Sequence, residues 1–281
     1  MPQLSPSLIQ QHIAAALAED LGTGDVTTES LVDAAQTGTA RIVARQPMTV
    51  AGLEMAQAVF HQLDPEASIA VHCEDGSTAE SGEAILTVRA KLRALLSGER
   101  TALNYLQRLS GVATQAARYV EAVAGTGVLI LDTRKTTPGW RALEKYAVKC
   151  GGARNHRRGL DDMAMIKDNH LAALDNSSLA DAIASIRERS PELKIEVEAE
   201  TVAESIAAVE AGADIVLLDN MPVDEMREAV QQIDGAAHTE ASGGITLETI
   251  REVAETSVNY ISVGALTHSA VAVDMAMELE S

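Results

Sequence analysis

From Val128 onward the chain repeats one pattern six times: a short apolar run, then a segment of helical periodicity. The runs are VLILDTR (128–134), AMIKDNH (164–170), KIEVEAE (194–200), DIVLLDN (214–220), AHTEASGG (237–244) and YISVGAL (260–266). Most intervals are about 20–30 residues, and the stretches between, such as SLADAIASIRERS and EMREAVQQI, carry helical spacing. Alternation of this kind demands parallel strands joined by right-handed crossovers. Six units fit an incomplete or open β/α barrel better than a dinucleotide-binding sheet. No GxGxxG follows any of the runs, and the chain holds no GxxxxGK[ST].

Polar residues stand at the C-terminal ends of these runs: Asp132, Arg134 and Lys135; Lys167; Glu196 and Glu198; Asp219; Ser242; Gly264. In a β/α barrel that rim is where chemistry is done. Residues 1–112 read differently, as a small α/β unit. Helical spacing covers 7–19, strands are expected at 38–46, 68–73 and 83–90, and EMAQAVFHQL is helical in pattern. A long helical pattern from Lys91 to Ala124 contains Gly98 and Gly111, where interruptions are expected. The expected division is 1–112 and 113–281, with a final helix returning to the first domain.

Charge narrows the chemistry. The formal net charge is −19, which excludes sequence-independent binding to nucleic acid or to anionic membrane. Residues 1–30 carry no signal-peptide pattern and no apolar run approaches a membrane span, so a cytoplasmic protein with reduced thiols Cys73 and Cys150 is expected. Against that acidity, residues 133–158 hold eight Lys and Arg and a single acid, Glu144. A cluster that works against the global charge costs self-repulsion unless an anion compensates it.

Three groups occupy the rim. Arg134, Lys135, His156, Arg157 and Lys167 suit a ligand with more than one negative group, Arg by paired hydrogen bonds and Lys as a point charge. Glu196 or Glu198, with Asp219, suits sugar hydroxyls or Mg²⁺, which takes one or two carboxylates plus substrate phosphates. Ser242, Gly243 and Gly244, with Val263, Gly264 and Ala265, follow the last two strands, where exposed backbone N–H groups and the start of a helix can cradle phosphate.

The motifs DTRKTTPGWRALEKYAVKCGGARNHRRGL, MIKDNH, EVEAE, LLDN, EASGGI and SVGALTHS, preceded by EDLGTGDVTT and GERTALNYLQRLSG, resemble the quinolinate phosphoribosyltransferase family over essentially the whole chain. The resemblance implies an N-terminal α/β sandwich domain followed by an open parallel β/α barrel, the type II phosphoribosyltransferase architecture, assembled as a head-to-tail homodimer. It implies conversion of quinolinate and phosphoribosyl pyrophosphate, with Mg²⁺, to nicotinate mononucleotide, pyrophosphate and CO₂. By the same resemblance Arg134, His156, Arg157 and Lys167 would hold the two quinolinate carboxylates, Thr133 would bind substrate, and Arg100 would reach the neighbouring subunit's site. Lys135 would contact pyrophosphate; Glu198 and Asp219 would serve the ribose hydroxyls and the metal. Ser242–Gly244 and Val263–Ala265 would hold the 5′-phosphate. Lys135, Lys167, Glu198 and Asp219 are the expected catalytic set. Trp140 and Arg154 depart from the family pattern and receive no role.

A related protein associated with molybdenum transport shares part of this pattern, and MIKDNH favours the quinolinate enzyme over it. A non-catalytic phosphosugar-binding barrel is a second rival. A third is an aldolase or isomerase barrel, in which Lys167 would form a Schiff base and would need a desolvated pocket.

Overall fold

The computed structural model describes residues 4–173 and 178–280. These fall into two units: one runs to Ala117 and adds Ala142–Gly152 and the segment from Ser269, while the other comprises Arg118–Arg141 and Ala153–His268. Residue 112, where the sequence places a domain boundary, lies inside a continuous helix.

In the first unit, α1 (Pro6–Leu21) starts where Ser5 Oγ accepts the Leu8 N–H at 3.3 Å and Pro6 occupies the first turn, whose N–H has no helical partner anyway. Asp25 caps α2 (Val26–Leu31) by accepting the Thr28 N–H at 2.9 Å. The strands are β1 (Thr37–Ala44), β2 (Met48–Thr49), β3 (Ser68–Val71), β4 (Thr78–Ala79) and β5 (Ala84–Lys91), with α3 (Leu53–Leu63) between β2 and β3. After β5 comes α4 (Leu92–Ala122). Phe60, Ile42, Leu86 and Leu106 are fully buried in this unit.

The expected interruptions of α4 do not occur. Its two glycines are sites of close approach. A Cβ at Gly98 would lie 3.0–3.2 Å from Leu63, Phe60 and Val59, and one at Gly111 would collide with the Val271 carbonyl. Glycine here lets the helix take apolar side chains against its axis at Gly98 and a backbone carbonyl at Gly111. A partner pair then fixes α5 (Arg141–Cys150): Arg108 on α4 donates to fully buried Glu144 at 2.7 Å and to the Ala270 carbonyl at 2.6 Å.

The second unit carries β6 (Leu129–Leu131), β7 (Ala164–Ile166), β8 (Ile195–Ala199), β9 (Ile215–Asp219), β10 (His238–Ser242) and β11 (Tyr260–Ser262). The six expected runs are these six strands. They form one parallel sheet in the order β6-β11-β10-β9-β8-β7. Among the described residues β6 and β7 stand at opposite ends of that order and share no ladder, as an open barrel requires. Arg154 supplies one parallel rung beside Leu131 on the free side of β6. Helices α6 (Asp168–Ala172), α7 (Leu179–Arg189), α8 (Val202–Glu210), α9 (Val223–Ile233), α10 (Ile250–Ala254) and α11 (Ala265–His268) follow successive strands from β7 onward, α6 and α7 both after β7.

The chain closes with a strand where the sequence suggested a helix. β12 (Met275–Leu279) pairs antiparallel with β1, giving the first unit a four-stranded sheet ordered β12-β1-β5-β3. MAMEL is rich in helix formers, and pairing with a preformed strand overrides that preference.

Candidate active site

A cavity of about 550 Å³ opens at the C-terminal ends of the barrel strands, with Arg134, Lys135 and Thr133 after β6 and Lys167 after β7. His156 and Arg157 come from the loop beside β6; Glu198, Asp219 and Ser242–Gly244 come from β8, β9 and the turn after β10. Register brings the last groups together, since Ser242 pairs with Asp219 and Glu198 with Leu217.

One wall is cationic and strained by like charge. Burial, then the neighbouring Arg134, pulls the Arg157 guanidinium below its ordinary range. Arg134 Nε is buried without a hydrogen-bond partner. A buried, unsatisfied donor beside a second guanidinium is costly unless an anion arrives. Arg157 is aimed by its Nη1, which donates to the Met163 carbonyl at 3.2 Å.

The other wall is acidic. Lys167 Nζ donates to Glu198 Oε2 at 2.7 Å. Asp219 is raised above the ordinary carboxylate range, first by burial and then by the Glu198 charge, while the Asn220 amide, donating at 2.9 Å, works to lower it. Of the two glutamates the sequence left open, Glu198 is the one beside Asp219, while Glu196 is fully buried against His156. Two repelling carboxylates that offer only oxygen suit a hard divalent cation such as Mg²⁺. Lys167 is ion-paired and its side chain is 40% exposed. That is the opposite of the desolvated lysine a Schiff base needs.

Glu196 belongs to a deeper cluster. Its Oε2 lies 3.1 Å from His156 Nε2, and Glu240 Oε1 lies 3.4 Å from the same nitrogen. Both glutamates are essentially fully buried. Burial works to lower His156, but the two carboxylates outweigh it and push it up to about 10; burial in turn raises Glu196. Those influences put a proton on Nε2. Nδ1, however, accepts the Arg157 backbone N–H at 2.7 Å, which a protonated Nδ1 could not do. The contact favours an unprotonated Nδ1, against the doubly protonated ring that the two carboxylates alone would produce, and the geometry is the firmer guide.

The phosphate-side expectation changes in detail. Gly243 and Gly244 have φ of 98° and 59°, so their turn exposes backbone to the cavity, but helix α10 begins only at Ile250 and has five residues. The glycine backbone of the turn, not a helix start, lines the opening. Val263, Gly264 and Ala265 do not line the cavity, whereas Ser262 does. A Cβ at Gly264 would lie 3.0 Å from the Lys135 side chain, which packs over that glycine. Arg100 is exposed on α4 in the first unit and lines none of this cavity.

Glu240, Asn220, Met165 and Leu217 line the opening and were not singled out from sequence. Glu240 had a signal: it stands two residues before Ser242 on one strand and so shares its face.

Comparison with known proteins agrees with this geometry. The model of the quinolinate phosphoribosyl transferase C-terminal domain matches residues 112–278, and that of the N-terminal domain matches residues 25–110. The chain belongs to the quinolinate phosphoribosyl transferase family. Within that family it is 44% identical to the nicotinate-nucleotide pyrophosphorylase [carboxylating] of Mycobacterium leprae, over 95% of both chains. It is also 44% identical to a probable enzyme of the same name from Bacillus subtilis, over 93% of this chain and 90% of that one. The crystal structure of NadC from Streptococcus pyogenes superposes with a TM-score of 0.95 at 39% identity, covering 100% and 99% of the two chains. No helix among the described residues of this family member is long and apolar enough to cross a membrane.

Proposed function

We propose that this chain is a carboxylating nicotinate-nucleotide pyrophosphorylase of NAD biosynthesis, a pentosyltransferase that converts quinolinate and phosphoribosyl pyrophosphate to nicotinate mononucleotide, pyrophosphate and CO₂. The observation that carries the reading is the pair Arg134 and Arg157, whose mutual repulsion and unpartnered Nε await a dianion, across one cavity from Glu198 and Asp219.

The two arginines and Lys167 clamp the pyridine dicarboxylate so that its ring nitrogen points toward the acidic wall. Nitrogen donates its lone pair to the anomeric carbon while the carbon–oxygen bond to pyrophosphate breaks, and positive charge grows on the sugar. Glu198 and Asp219, binding the ribose hydroxyls, place negative charge beside that cation. Lys135, packed over Gly264, meets the departing pyrophosphate. Glu198 and Asp219 would also hold Mg²⁺, which when bound neutralises charge on the leaving group. Quaternised nitrogen then draws the electron pair of the adjacent carbon–carboxylate bond into the ring; CO₂ leaves and that carbon takes a proton from solvent. No covalent enzyme intermediate is needed, and the protein contributes positioning and charge.

The working assembly is a cytoplasmic head-to-tail homodimer, in which exposed Arg100 completes the clamp of the neighbouring subunit. The deciding assay follows pyrophosphate and CO₂ together from quinolinate with phosphoribosyl pyrophosphate and Mg²⁺, with nicotinate as control. Equal release from quinolinate and none from nicotinate is expected. Pyrophosphate release from nicotinate, or silence with both, overturns the assignment.

A further inference from the structure

Beneath the carboxylate clamp lie two buried acids that the reaction above does not use. Glu196 on β8 and Glu240 on β10 are 0% and 1% exposed, and both Glu196 carboxylate oxygens and Glu240 Oε1 lack a conventional hydrogen bond. Their common neighbour is one nitrogen, His156 Nε2, at 3.1 and 3.4 Å. One N–H cannot align with two acceptors at once, so it is divided between them. A buried carboxylate without a full partner is expensive, and such a group calls for an explanation.

The spacing would also admit a metal ion, since one ligand atom from each of the three residues lies within 4.8 Å of the others. The other face of the ring argues against it. A metal on Nε2 would move the proton to Nδ1, and a metal-bound imidazole donates from its second nitrogen. Here that nitrogen accepts the Arg157 N–H at 2.7 Å. The proton therefore sits on Nε2, between the glutamates.

We propose that Glu196 and Glu240 are positioning residues for the carboxylate clamp. By flanking Nε2 they hold His156 in its Nε2–H tautomer, which leaves Nδ1 to accept the Arg157 backbone N–H and so fixes the main chain from which that side chain enters the cavity. The backbone on the other side of the turn is already fixed from β6, because fully buried Asp132 accepts the His156 N–H at 2.9 Å and the Asn155 amide at 3.0 Å. Ring orientation is the remaining freedom, and the two glutamates remove it. His156 thus supports the clamp through Arg157, besides lining the cavity itself.

The kinetic part of this inference rests on the proposed reaction; the spectroscopic part does not. In ¹⁵N imidazole correlation spectra the ring signal lost on His156→Gln should be an Nε2-protonated, Nδ1-unprotonated tautomer in the wild-type protein. Glu240→Gln, whose amide can donate to Nε2, should shift that ring toward the Nδ1–H form. The KM for quinolinate should rise about tenfold, the scale of one weakened charge-assisted hydrogen bond, with the KM for phosphoribosyl pyrophosphate within about twofold. Glu196→Gln should behave alike and serves if the first variant does not fold. An Nδ1–H tautomer or a doubly protonated ring in the wild type overturns the proposal. So do stoichiometric Zn²⁺ or Mn²⁺ retained after dialysis, and equal rises in both KM values with a parallel loss of Tm. A wild-type protein inert toward quinolinate but carrying the expected tautomer would sink the proposed reaction while leaving the His156 assignment standing.

Discussion

Replacing Arg134 with methionine should make the unliganded protein more stable and the enzyme worse. Arg134 Nε is buried without a partner, and its charge depresses Arg157. An unsatisfied buried donor costs about 1–3 kcal/mol. Methionine keeps the aliphatic bulk and removes both penalties. Taking the lower end, about 1 kcal/mol, because the cavity admits water to the guanidinium tip, Tm should rise by about 2–4 °C for a chain of this size. With quinolinate present the sign reverses. A charge-assisted hydrogen bond is worth about 1.5–3 kcal/mol, and about 1.4 kcal/mol is a factor of ten, so losing one raises the quinolinate KM roughly 10- to 100-fold. Phosphoribosyl pyrophosphate, held by other groups, should keep its KM within about twofold on the same scale. The assays are differential scanning fluorimetry without ligand and steady-state kinetics with each substrate varied in turn. A fall in Tm, or a quinolinate KM that moves less than about threefold, would refute the view that Arg134 is held in waiting for a carboxylate.

Gly111→Ala should destabilise the first unit by about 1–3 kcal/mol, read as a lower urea midpoint, because its Cβ meets the Val271 carbonyl and neither backbone can yield cheaply. Asp214 is held below the ordinary carboxylate range: burial alone would raise it, but hydrogen bonds from the Ile195 N–H and Arg187, each 2.8 Å, outweigh that. Its folded pKa lies under the unfolded 3.8, so its contribution is present above pH 3.8 and fades as pH falls through the folded value. Asp214→Asn should therefore lower stability at pH 7, with the gap to wild type narrowing in acid titrations monitored by circular dichroism. Burial pushes the Cys150 thiol up to about 12, and Cys73 is only part-buried. A thiol reagent at neutral pH should label Cys73 first and Cys150 only on unfolding; equal rates would contradict that packing.

The barrel was legible because most of its strands are compact apolar runs ended by a charged or polar residue, a pattern local enough to read without knowing what it touches. The cationic wall was legible for a similar reason, as Arg134, Lys135 and Lys167 follow such ends and Arg157 stands in a glycine-rich basic loop. What escaped depended on partners distant in sequence. Gly98 and Gly111 read as breaks because glycine weakens isolated helices, yet each is required by what lies against it. Glu196 and Glu198 point to the same face of β8, and only depth separates the one that meets His156 from the one that meets Lys167. Glu240 was overshadowed by the glycines that follow it. Its importance comes from two neighbours on other elements, which no local pattern encodes.

The pairing of β12 with β1 has a consequence for how the chain is made. On a ribosome β1 and β5 emerge early, but the edge strand that completes their sheet is synthesised only after every strand of the barrel. Until then β1 presents an open edge of unpaired N–H and C=O groups, a template for misplaced strand pairing. The inserted unit, whose segments all precede Ser269, can by contrast be completed first. Vectorial synthesis thus inverts the usual order for this protein: the segment that begins the chain is the one that must wait, and a polypeptide released short of Met275 would expose its first sheet, not its last.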